Sequence, residues 1–209
     1  MFANLPQSRR KRAALLALKV AGATCWAYAY REAIDISRRT GRGPLPDPAI
    51  AFNLAWEAIY TAGGIWKWRE LELEDRVQTV INAIWLSYDI RFASSLPRKD
   101  RQTFRLMLVA VLYQLLFLAK YPPGKAARIS ALWQNLGFSG YCALSVNQKF
   151  PADVSTAKFT LLRAIGTAVP TFTSGVMRGI EPAYLLPGIG CIAFDLLRIG
   201  REQSRPKKS

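Results

Sequence analysis

Three carboxylates, Glu57, Asp89 and Asp195, stand in stretches that carry almost no other charge. An ionisable side chain inside a long apolar helix costs ~2.5–3.5 kcal/mol on insertion scales, so its presence asks for a use. A carboxyl group cut off from water keeps its proton and can act as an acid at neutral pH, while an arginine nearby holds a second carboxyl ionised. Glu57 sits in mid-stretch, with no basic residue within a helical turn, and is the first candidate for a proton donor. Asp195 has Arg198 three residues on, on the same helical face, which suits an ion pair. Asp89, two residues before Arg91 and near the end of its stretch, reads as a side chain that reaches the interface, and ranks behind the other two.

Much other chemistry is excluded by residue type. The chain has no histidine, which removes imidazole acid–base catalysis, Ser-His and Cys-His dyads, and the commonest metal ligand. Cys25, Cys142 and Cys191 are dispersed without CxxC spacing, so neither a disulfide framework nor a zinc site is expected. No metal and no cofactor are called for. The net charge of +15 raises the question of nucleic acid, but the Lys and Arg residues flank apolar stretches and no nucleic-acid module accompanies them. Contact with anionic lipid head groups explains them better.

Around the carboxylates lie groups able to shape a pocket. Trp56, Tyr60, Trp85, Tyr88, Trp133, Phe138 and Phe194 provide aromatic faces, which stabilise a desolvated cation by ~0.5–2 kcal/mol or more. Each also fits simple packing. Asn53, Asn82, Gln134 and Asn135 provide hydrogen bonds that could join helices or hold the polar end of a substrate.

The elements that must position these groups are helices. Ile129–Asn147 and Leu106–Ala119 contain no charge, Ala49–Trp66 contains Glu57 alone, and Ala13–Tyr30 contains Lys19 alone. A bilayer crossing needs ~20 mostly apolar residues. The predicted spans are 13–31, 48–66, 77–95, 103–121, 127–147, 158–177 and 183–200. The expected fold class is therefore all-α, a polytopic membrane protein with a bundle of about seven transmembrane helices. One domain covers 1–209, with a basic N-terminal extension over 1–12 and a basic tail over 201–209. Ser8-Arg9-Arg10-Lys11-Arg12 resembles a twin-arginine signal, but Lys19 and the aromatics that follow favour an uncleaved first span. Loops are expected at 38–44, at Tyr121-Pro122-Pro123-Gly124 and at Phe150-Pro151. The acidic strip Glu70–Arg76 reads as a solvated helix start, and Pro170 and Pro187 fall inside spans.

Several of these residues together resemble a known family. Asn53-Leu54-Ala55-Trp56-Glu57, followed by Tyr60, is similar to the second-helix N-x-x-W-E motif of the transmembrane meroterpenoid cyclases. These are small seven-helix enzymes of fungal meroterpenoid and indole-diterpene pathways, with bacterial relatives in prenylated-indole pathways. Trp85 to Asp89 resembles the third-helix W-x-x-x-D, Gln134-Asn135 the fifth-helix Q-N, Gly166-Thr167 the sixth-helix G-T, and Phe194-Asp195 the seventh-helix F-D. Arg198 departs from the pattern, which has an aromatic after F-D-L.

The resemblance implies a metal-independent terpene cyclase of the lyase or isomerase type. Such an enzyme protonates the terminal alkene or epoxide of a prenyl chain, farnesyl by expectation, on an aromatic or indole-derived group. Carbocation cyclisation to fused rings follows. It implies Glu57 and Asp195 as the two required acidic residues, with Asn53, Trp56, Tyr60, Trp85, Asp89, Trp133, Gln134, Asn135 and Phe194 as candidate substrate contacts. The partners would be membrane lipids and a lipophilic prenylated substrate. The setting would be the bacterial cytoplasmic membrane or the endoplasmic reticulum. A rival reading is a non-catalytic small transporter or assembly factor that uses the buried carboxylates as a proton or ion relay.

Overall fold

The computed structural model describes residues 7–96, 100–144, 154–178 and 182–204, and these are helical apart from short turns. Among the described residues seven helices follow one another: α1 (Gln7–Thr40), α2 (Asp47–Trp66), α3 (Leu73–Ser94), α4 (Asp100–Lys120), α5 (Pro123–Leu144), α6 (Ala157–Arg178) and α7 (Pro182–Gln203). Each corresponds to one of the predicted stretches. The expected loop at Phe150-Pro151 lies outside the described residues, as do residues 1–6 of the basic extension and 205–209 of the tail.

Proline and glycine set the boundaries. Gly41 takes the left-handed conformation (φ 67°) that stops α1 at little cost. Pro48 lies in the first turn of α2, and Pro123 and Pro182 open α5 and α7, where a missing N–H loses no helical bond. The structure corrects both ends of the first helix, which begins at Gln7, inside the expected basic extension. The first helix does not stop near residue 31 but runs on to Thr40. Its charges there stay compatible with a helix because Arg31, Asp35, Arg38 and Arg39 face outward, while Ala33, Ile34, Ile36 and Ser37 are buried. Glu32 pairs with Lys158 of α6.

The helices close into a ring whose order differs from chain order. α1 packs between α3 and α6, α2 between α3 and α4, and α5 between α4 and α7, while α6 and α7 complete the circle. α2 also touches α5 across the ring. The central apolar contacts join Ala29, Ala33 and Ile36 of α1, Ala49 and Ile50 of α2, Phe92 of α3, Cys142 of α5 and Phe159 of α6.

The α1–α6 crossing is close because both helices present glycine. A Cβ on Gly166 would lie 2.6 Å from the Trp26 ring and 3.1 Å from the Gly22 carbonyl oxygen. Pro170, four residues after Gly166, cannot donate a backbone hydrogen bond to the Gly166 carbonyl, which sits against Gly22. Gly166→Ala must therefore push the two helices apart or displace Trp26. It is expected to cost about 1–3 kcal/mol, seen as a lower thermal midpoint of the purified protein.

Among the described residues only α1, over Ala13–Thr40, contains a stretch long and apolar enough to qualify by length and composition as a membrane span. The expectation of seven spans is met for that helix alone by this measure, and the polar residues of the bundle have a distinctive distribution. Glu57, Asp89, Asn82, Gln114, Gln134, Arg163, Asp195 and Arg198 are all buried. Large apolar side chains face out, including Leu108, Leu112, Leu115 and Leu116 of α4 and Leu186, Ile189, Leu196 and Leu197 of α7.

Candidate functional site

Asn53, Glu57 and Thr61 recur every four residues on α2, so they stack along the face that α2 turns inward, and all three are buried. Glu57 is 2 % exposed and Asp89, brought from α3, is 0 % exposed. The two carboxyl groups meet at Tyr30 of α1, whose hydroxyl lies 3.0 Å from Glu57 Oε1 and 3.0 Å from Asp89 Oδ2. Three helices thus each contribute one acidic group to one buried cluster. The position of α1 beside α3 makes this possible.

Hydrogen-bond counting constrains the protons here. A phenol has one proton to donate and lone pairs to accept with. If Tyr30 donates to one carboxylate, its bond to the other carboxyl requires that group to be protonated and to donate to the phenolic oxygen. Glu57 Oε2 and Asp89 Oδ1 accept from no donor group among the described residues, so each carboxyl keeps an oxygen free to carry a proton, and the two carboxyls lie within hydrogen-bond reach of each other. Buried polar atoms are seldom left unmatched unless a function or an absent ligand accounts for them.

Aromatic rings surround the cluster. Tyr30 stacks on Tyr88 at 6.1 Å with an interplanar angle of 6°, and Trp26 lies 5.9 Å from Tyr30 and 6.2 Å from Trp85. The Trp85 indole donates to the Ala23 carbonyl at 3.3 Å, which fixes the ring between α1 and α3. On the other side of α2, Trp56 is buried, donates to the Ala127 carbonyl at 2.9 Å, and packs on Tyr60 at 5.3 Å.

One turn before Glu57, an amide chain ties α2, α5 and α4 together. Gln134 Nε2 donates to Asn53 Oδ1 at 3.2 Å, and Gln114 Nε2 donates to Gln134 Oε1 at 3.0 Å. Asn53 and Gln134 act as helix connectors here, and Asn135, half-buried, takes no part in the chain. Asn82 is buried and accepts from Gln78 at 2.6 Å within α3.

A second buried cluster lies between α5, α6 and α7. Asp195 is held by an ion pair to Arg163 of α6, and Arg163 also donates to Ser139 Oγ at 2.9 Å. Both charged side chains are nearly inaccessible, at 1 % and 2 %. Arg198 does not pair with Asp195 as the local spacing predicts. Its guanidinium donates to the Pro44 carbonyl at 3.1 Å and to Thr156 Oγ1 at 2.9 Å, which anchors the α1–α2 turn. Phe159 has both guanidiniums over its ring, each 5.9 Å from the centroid. Glu202 accepts from the backbone N–H of Thr156 at 3.2 Å and from its hydroxyl.

The structure therefore brings together Asn53, Trp56, Glu57, Tyr60, Trp85, Asp89 and Gln134, on and around α2. It does not bring Asp195 to Glu57: α7 makes no packing contact with α2 among the described residues. Asp89 reaches no interface, because α1 covers it and Tyr30 takes its carboxyl. Trp133 is 46 % exposed on the outside of α5, so it walls no interior space. Phe194 packs against Gly140 of α5.

Sequence reasoning missed Tyr30, Gln114 and Arg163. Arg163 had a usable signal, since the cost that singles out a carboxylate in an apolar stretch applies equally to a guanidinium. Tyr30 and Gln114 had none, because a single tyrosine at the end of a predicted span and a lone amide are common in any helix. In comparisons with protein-family models, curated proteins and solved structures, nothing matches the chain.

Proposed function

We propose that this chain is a membrane-embedded terpene cyclase that uses Glu57 as a general acid on a lipophilic prenylated substrate. The observation that carries this reading is the buried Glu57–Tyr30–Asp89 cluster, an acid with uncommitted oxygens set among aromatic rings. The membrane setting is supported by the inside-out distribution of polarity, with charges and amides inward and leucines outward. Helices of 20–22 residues in α2 to α7 suit a bilayer as well, since ~20 residues at ~1.5 Å each span ~30 Å of hydrocarbon.

The chemistry follows from these residues. Glu57 transfers its proton to the terminal alkene, where the π electrons form the new C–H bond and leave a tertiary cation. With an epoxide, the oxygen takes the proton and the C–O bond opens to the same kind of cation. Each ring then closes as the next double bond donates its π electrons, and loss of a proton ends the sequence with a neutral product. The faces of Trp26, Trp56, Trp85 and Tyr88 suit a travelling cation, and water that would quench it is kept out. A farnesyl chain on an indole-derived or other aromatic group is the substrate class that fits, in a bacterial cytoplasmic membrane or the endoplasmic reticulum.

Two measurements test this. Expressed protein should remain with the membrane fraction after alkaline washing and leave it only in detergent. Purified protein incubated with farnesylated indoles, as alkenes and as epoxides, should yield cyclised isomers of unchanged mass, identified by NMR. Unchanged linear compounds across the panel would sink the assignment.

A further inference from the structure

Glu57 and Asp89 come from different helices, and neither carboxyl is placed against a basic side chain among the described hydrogen bonds and ion pairs. The two carboxyls lie within hydrogen-bond reach of each other, and a single phenol, itself 3 % exposed, bridges them with one oxygen of each at 3.0 Å. Two carboxylates so close in an apolar interior cannot both be charged at reasonable cost. The one-donor limit of a phenol leads to the same count by a separate route.

We infer that Tyr30 is the positioning residue of the acid, making Glu57 and Asp89 one proton-sharing unit in which Asp89 recharges Glu57. This rests on the cyclase reading and adds a role that α1 plays in it. Asp89 Oδ2–H donates to the Tyr30 oxygen, Tyr30 O–H donates to Glu57 Oε1, and Glu57 Oε2 carries the proton that leaves. Glu57 is the delivering end because its turn of α2 also carries Trp56 and Tyr60, whose rings pack together beside it.

When Glu57 gives up the Oε2 proton, the Tyr30 proton moves to Glu57 Oε1 and the Asp89 proton moves to the phenolic oxygen. Glu57 is then again a neutral acid, Tyr30 again a phenol, and Asp89 a carboxylate. The proton shed by the last carbocation returns to Glu57 Oε2, the Oε1 proton moves back to the phenolic oxygen and the Tyr30 proton moves back to Asp89 Oδ2, so every group regains its starting proton and charge balances over the cycle. No oxidant, reductant or metal enters.

The test uses full-length protein in detergent without substrate. Infrared difference spectra of protein carrying ring-labelled tyrosine are recorded for the wild type, Glu57→Gln and Asp89→Asn. Both variants are expected to shift one and the same tyrosine C–O band, because one hydroxyl serves both carboxyls. A tyrosine band that moves in only one variant, or in neither, overturns the proposal. Tyr30→Phe supplies an independent arm: protonated-carboxyl bands should shift for both Glu57 and Asp89, and kcat for cyclisation should fall about 10–100-fold with KM within about twofold. Should Tyr30→Phe fail to fold, the labelled-tyrosine arm still decides. Shifted bands without turnover would retain the proton-sharing unit and remove the cyclase reading, whereas turnover with unmoved bands would do the reverse.

Discussion

Glu57→Gln should abolish cyclisation, lowering turnover about 10²–10⁴-fold while the protein folds and binds substrate nearly as before. Glutamine has the shape of glutamate, and its amide oxygen can still accept from Tyr30 at the position of Oε1. It has no acidic proton. Asp89→Asn should cost less, about 10–100-fold, because it blocks recharging through Tyr30 and leaves the delivering acid in place. Product formation measured under single- and multiple-turnover conditions separates the two. Glu57→Gln should be dead in both, and Asp89→Asn should retain more of the first turnover than of later ones. If Asp89→Asn kept full turnover while Asp195→Asn lost it without losing stability, the proton donor's partner would lie on α7.

Arg163→Met should be the most destabilising single change in the second cluster. It leaves Asp195, 1 % exposed, with its charge uncompensated, and breaking a buried ion pair from one side costs about 3–5 kcal/mol. The pair itself is worth far less than that figure, since both ions gave up their hydration to form it. Arg163→Met combined with Asp195→Leu should accordingly recover most of the lost stability, because no charge is then stranded. Thermal midpoints of the wild type, Arg163→Met, Asp195→Leu and the double variant in one detergent give the comparison. A double variant as unstable as Arg163→Met alone would show that the damage comes from packing around Phe159, over which the Arg163 guanidinium lies, and not from the stranded charge.

The contrast between Glu57 and Asp195 shows how far local sequence reaches. Glu57 could be singled out because it stands alone in mid-helix, and isolation is a property of the sequence. A partner is not. The residue one helical turn from Asp195 is Arg198, and (i, i+3) spacing does put the two on one face, yet Arg198 is held by Pro44 and Thr156. Arg163 reaches Asp195 because α6 and α7 lie side by side, which spacing within α7 cannot reveal. Asp89 was misplaced for the same reason. Closeness to Arg91 and to a helix end suggested an interfacial side chain, but in the fold α1 covers it and Tyr30 bonds it.

The three carboxylates that opened the sequence reading thus divide into two settings. By itself the sequence determined the seven helices, since apolar runs of the right length are broken by Gly41, Pro48, Pro123 and Pro182 at positions where a helix must start or stop. It also marked which carboxylates are costly to bury. Only the tertiary structure decided which polar groups meet, because a helical face turns by about 100° per residue and chain order does not fix which helices are neighbours. The ring places α1 between α3 and α6. The α1–α3 adjacency gives Glu57 and Asp89 their common phenol, and the α6–α7 adjacency gives Asp195 its arginine.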